Sequence, residues 1–162
     1  MAADLSFVFK LPASAKTTFE MLTNPNFLNE KIALAQSGNY SISGNYPNLV
    51  VEVTRTVVAD LPDLVRKFVG ENLVVQEIQN WKEISTNNYI AEFKLKIPNA
   101  PVDISGQIKL IENQDTEVSI IGKVKVNLPI FGGAAEPKVV DTINRVLSDE
   151  AQLCKGWITK NA

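Results

Sequence analysis

The chain has 162 residues, a hydrophobic share of 45%, a charged share of 21% and a net charge of −2, the profile of one soluble globular domain that can bury a core without disulfide or metal staples. With one cysteine and no histidine, it excludes an intramolecular disulfide, the familiar zinc sites and any Cys-His or Ser-His-Asp arrangement. Phosphate binding leaves a basic excess or stripe, so 16 basic against 18 acidic residues argue against nucleic acid as a partner.

Leu5, Phe7, Phe9 and Leu11 alternate with polar or smaller residues and predict a first strand. Ser14 then caps a short helix carrying Ala15, Thr18, Phe19 and Leu22. Asn24-Pro25 starts a second helix, with Asn24 as the N-cap and Pro25 in the first position. It carries Phe27, Leu28, Ile32 and Leu34, and Ser37-Gly38 should stop it. Six strands follow, over 39–43, 49–59, 73–83, 89–97, 102–111 and 117–128. Their short connectors make neighbours antiparallel. Residues 61–70 interrupt the series, with Pro62 near the start and Gly70 at the end of a brief amphipathic turn or lid.

After Gly132-Gly133 the period becomes helical. Val139, Ile143, Val146, Leu147, Ala151, Cys154, Trp157 and Ile158 recur at spacings of three and four. Pro137 belongs in the first turn of this long helix. The expected fold class is therefore α+β: a curved seven-stranded antiparallel sheet around a long C-terminal helix, with two short helices after the first strand. One helix cannot fill the concavity of such a sheet, so a cavity of a few hundred cubic ångströms or more is expected.

The inner strand faces are almost wholly apolar, as in Tyr89, Ala91, Phe93, Leu95 and Ile97 against Glu92, Lys94 and Lys96. Gly106 and Gly122 interrupt two of them, either as bulges that curve the sheet or as room for a ligand or the crossing helix. Arg55 shares a face with Val51, Val53 and Val57. It either pairs with a carboxylate, with Glu77 and Glu150 as candidates, or holds a ligand's carboxylate or phosphate. Trp81 and Trp157 are either core or pocket walls. The basic residues Lys10, Lys16, Lys31, Lys94, Lys96, Lys109, Lys123 and Lys125 are scattered, and the later ones read as a solvated outer face.

The order of elements, the segment Asn24-Pro25-Asn26-Phe27-Leu28 after the first helix and the terminal amphipathic helix resemble the START-like, helix-grip superfamily. That superfamily includes polyketide cyclases, lipid-transfer domains and the birch-pollen-allergen group. Ala59-Asp60-Leu61-Pro62, Trp81, Pro98-Asn99-Ala100-Pro101-Val102 with Gly106, and Gly132-Gly133 with Glu136 are similar, more narrowly, to an uncharacterised bacterial family best known from actinobacteria. Pro137 departs from the helical run expected after Glu136. The resemblance spans nearly the whole chain and implies a deep apolar pocket closed by the final helix.

The ligand-binding residues expected from this reading are Arg55, Trp81, Tyr89, Phe93, Leu95, Ile108 and Ile120 on strands, Ile143, Leu147 and Trp157 on the final helix, and Phe68 in the 61–70 segment. No catalytic residue, metal ligand or cofactor is expected. Gly132-Gly133 lacks the surrounding motif of a phosphate loop, Asp149 and Glu150 point apart on their helix, and Cys154 falls on the apolar stripe as inert core. The partner expected is a hydrophobic small molecule or lipid. A cyclase-like or hydratase-like enzyme would need polar groups converging in the pocket. An interaction module would use Leu61, Leu64, Val65 and Phe68 to dock a protein or membrane surface. No stretch approaches the roughly 18 apolar residues of a membrane span, the first ten residues are not a signal peptide, and the lone thiol fits a reducing compartment, so the expected location is the cytoplasm.

Overall fold

The computed structural model describes residues 2–162 except 59–62, 64, 65, 68, 69, 71, 99, 130 and 131. Strand β1 (Ala3–Leu11) is followed by helices α1 (Ala15–Leu22) and α2 (Pro25–Ala33). Strands β2 (Ser37–Asn45), β3 (Asn48–Val58), β4 (Asn72–Ser85), β5 (Asn88–Lys96), β6 (Val102–Asn113) and β7 (Asp115–Val126) come next, and helix α3 (Gly132–Lys160) closes the chain. All seven strands form one antiparallel sheet in the order β1-β7-β6-β5-β4-β3-β2. The strands β2 to β7 pair with their sequence neighbours because their links are short. Strand β1 instead closes against β7, so the chain must travel from one sheet edge to the other, and α1 and α2 make that journey.

The caps form as the sequence predicts. The Ser14 hydroxyl accepts from the Thr17 N–H at 3.0 Å, and Asn24 Oδ1 accepts from the Asn26 N–H at 2.8 Å. The start of α1 is also tied to the sheet, because Glu112 Oε1 accepts from the Ala15 N–H at 2.6 Å and Thr116 donates to the Ala13 carbonyl at 2.7 Å. Ser37 and Gly38 do not stop α2; they already belong to β2. A Cβ on Gly38 would lie 2.6 Å from the Thr54 carbonyl, so close strand approach is the reason for this glycine.

Two further expectations are corrected. The pairing Gly106↔Gly122 lies inside an unbroken β6–β7 register, so these glycines are not bulges. Nor do they open space for a ligand: a Cβ on Gly122 would fall 2.3 Å from the Ser105 carbonyl, and one on Gly106 2.1 Å from the Ile121 carbonyl. The strands approach so closely there that side chains are excluded. Pro137 lies inside α3, not in its first turn, because the helix begins at Gly132. Its ring removes one helical hydrogen bond, and other contacts hold this end in place. Glu136 is buried and accepts from the Val126 N–H at 2.9 Å, while the missing side chain of Gly132 lets the helix approach the Val126 carbonyl. Helix α3 thus rests on β1 and β7 and touches α2. Among the described residues no helix is long and apolar enough to cross a membrane.

Candidate functional site

Between the inner sheet face and α3 lies a cavity of about 110 Å³. It is smaller than the few hundred cubic ångströms expected, because long side chains from sheet, α2 and α3 fill much of the concavity. Most of its wall is apolar. Leu5, Phe93, Ile108, Val118 and Ile120 come from the sheet, and Val139, Ile143, Val146 and Leu147 from α3.

One wall is different. Period two places Leu73, Val75, Glu77, Gln79 and Trp81 of β4 on the inner face, and all five line the cavity. The Trp81 indole N–H donates to Gln79 Oε1 at 2.9 Å. Gln79 Nε2 donates to Glu77 Oε2 at 2.6 Å. Lys31 Nζ, from α2, donates to Glu77 Oε1 at 2.9 Å. On the neighbouring β3, Arg55 Nη1 donates to Glu150 Oε1 of α3 at 2.5 Å, and its Nη2 stands 3.5 Å from Glu77. Lys31 Nζ is also 3.9 Å from Glu150. Two cations face two carboxylates, so the cluster is neutral and each charge has a partner.

Burial alone would raise the Glu77 pKa, but the charges of Lys31 and Arg55 and their hydrogen bonds hold it down to about 2. Burial alone would lower that of Arg55, but Glu150 and Glu77 outweigh it and raise it. A carboxylate held this firmly ionised is a weak base at neutral pH. Burial and the Glu150 charge push the Cys154 thiol up to about 12, so this cavity-lining sulfur is unreactive.

Of the residues singled out in the sequence, Arg55, Trp81, Phe93, Leu95, Ile108, Ile120, Ile143 and Leu147 line the cavity together. Tyr89 does not; it stacks on Phe19 at 4.4 Å, in the aromatic core beneath α1. Nor does Trp157, which packs edge-on against Phe27 at 5.7 Å, with Lys160 over its ring. Phe68 lies outside the described residues, as do Leu61, Leu64 and Val65 of the suggested docking face. Lys31, Gln79 and Phe27 line the cavity but are not among the site residues expected from the sequence, so the wall contributed by α2 is unforeseen. The signal was present: Lys31 lies four residues after Phe27 and three after Leu28, on the apolar stripe of its helix.

The fold has known relatives. A family described as a protein of unknown function (DUF2505) matches residues 6–158. No curated protein matches the chain by sequence. Among solved structures, the protein TTHA0849 from Thermus thermophilus superposes with a TM-score of 0.70 at 13% identity, covering 99% of both chains. The ZhuI aromatase/cyclase from Streptomyces sp. R1128 gives 0.69 at 10% identity, over 99% of this chain and 95% of its own. A START superfamily protein from Mycobacterium smegmatis gives 0.56 at 13% identity, over 98% and 99%. The architecture is thus the helix-grip fold of START-like proteins. At these identities the likeness concerns the fold.

Proposed function

The chain belongs to the DUF2505 family of proteins of unknown function, and we propose that it binds or carries a hydrophobic small molecule or lipid in the cavity between sheet and α3. The observation that carries this reading is the composition of the wall: mostly apolar among the described residues, with its charged groups gathered in one compact patch. Ligand sites for apolar molecules have this make-up, with bulk affinity from the apolar lining and orientation from a few polar groups. A cavity of about 110 Å³ suits a small ligand as it stands. A larger one would enter by parting α3 from the end of β3. The enzymatic reading is weaker, because Arg55, Glu77 and Glu150 are engaged with one another and no unpaired base faces the cavity among the described residues. The lone buried thiol keeps the reducing cytoplasm as the proposed setting.

Native mass spectrometry of the purified protein, followed by solvent extraction, tests the proposal. A retained apolar mass, or displacement of a bound apolar fluorophore by added lipids, is the expected result. A protein that holds no extractable molecule and takes up no apolar probe would refute it.

A further inference from the structure

The two carboxylates of the polar wall are held differently. Glu77 is fixed within the sheet and α2 by Lys31 and Gln79. Glu150 comes from α3, is tied to Arg55 and stands farther from Lys31. It also occupies a boundary. Arg55, Val57, Val146 and Glu150 line both the inner cavity and an outer groove of about 340 Å³ between residues 34–36, the end of β3 and α3. The lips of that groove carry Leu34 and Val58, exposed at 53% and 71%.

We propose that the Arg55–Glu150 pair is the polar subsite of the ligand, that Glu150 holds the place of a ligand's carboxylate, and that the molecule carried is apolar with one terminal carboxylate, admitted through this groove. The proposal deepens the carrier reading and rests on it. A buried guanidinium must keep a counter-charge. If Glu150 turns into the groove, where it already has a wall and meets water, Arg55 and Lys31 face Glu77 alone, and one incoming carboxylate restores two charges against two. Guanidinium geometry fits a carboxylate with two parallel bonds. A neutral head group would find Arg55 already occupied and could not displace its partner. A phosphate monoester would bring nearly two charges into a place balanced for one.

Decanoate and decanol share a chain and differ only at the head, and naphthoate and naphthylmethanol repeat the comparison on a compact ring. Titrated into the wild-type protein at neutral pH, the acid of at least one pair should bind about tenfold or more tighter than its alcohol. The pair that shows the larger preference tells whether the cargo is a chain or a ring. Glu150→Gln leaves Arg55 an acceptor but removes the competing charge, and should tighten acid binding about tenfold. Alcohols that bind as tightly as their acids would overturn the carboxylate inference and leave the carrier reading standing. An unchanged acid affinity in a folded Glu150→Gln protein would overturn the role of Glu150. Binding of none of the four probes would overturn the carrier reading, and this inference with it.

Discussion

Strands β5 to β7 and strands β3 and β4 present their inner faces to the same cavity with opposite content. On β5 to β7 the inner residues are buried and apolar, among them Phe93, Ile104, Ile108, Leu110, Val118, Ile120 and Val124. On β3 and β4 the buried inner set includes Arg55, Glu77 and Gln79 between Val53 and Trp81. The apolar half stabilises through area removed from water and is indifferent to which apolar group meets which. The charged half contributes little net stability relative to apolar groups of the same shape, yet it tolerates no partial removal. One half therefore supplies volume and the other discrimination, and a ligand can be told from its analogues only at the second.

The contrast breaks most visibly at Glu77. Glu77→Ala leaves Lys31 in the wall with only the more distant Glu150, and the expected loss is about 3–5 kcal/mol in urea unfolding. The same residue imposes a pH dependence. Its pKa is about 2 in the folded chain and about 4.3 unfolded. Its contribution is therefore complete above the unfolded value and is lost as pH falls from there through about 2, amounting to a few kcal/mol. A folded Glu77→Gln variant should show a shallower loss of stability across that window, measured by urea midpoints at successive pH values. An unchanged acid profile would mean that other carboxylates set it.

Within the apolar half, the sharpest constraint is backbone proximity. Gly122→Ala should cost about 1–3 kcal/mol, since the neighbouring carbonyl of Ser105 cannot yield as a flexible side chain would. Gly133 in α3 has nothing within 4 Å of its missing Cβ, so Gly133→Ala should be neutral or stabilising by up to about 1 kcal/mol. Paired thermal melts of the two variants check this. Equal midpoints would mean that β6 and β7 separate easily at that register.

These positions show where the sequence is legible. Alternation exposed the strands and the apolar inner wall, because a period of two on a half-buried sheet leaves a direct trace. Ser14 and Asn24 announced their helices because capping is local. Gly122 was visible as an anomaly, but its cause is the carbonyl of another strand, which only the register brings near. Local rules put Pro137 in a first turn, but the preceding turn is held by Glu136 reaching β7 and by Gly132 resting on it, tertiary contacts that override the local cost of proline. Arg55 stands out as a polar residue on an apolar face, with Glu77 and Glu150 as candidate partners, whereas Lys31 is one of the scattered basic residues in the sequence and only its helical spacing puts it on the stripe. Tyr89 and Trp157 share the apolar periodicity of true lining residues. Their exclusion from the cavity follows from Phe19 and Phe27, which the chain order does not place.

The smallest effect expected comes from the outer face, and it tests whether the inner location of the charges is what matters. Lys123 of β7 pairs with Asp4 of β1, with side-chain exposures of 65% and 78%. The pair joins two strands, as the inner cluster does, and it lies on the half of the sheet whose inner face is apolar. Water already solvates both partners, so either charge can lose the other without being stranded in a poorly solvating medium. Lys123→Ala should therefore change the unfolding free energy by less than about 0.5 kcal/mol, and added salt should erase even that. A loss approaching that of Glu77→Ala would show that cross-strand charge pairing itself holds the sheet. A null result would leave burial as the property that makes the β3–β4 wall sensitive.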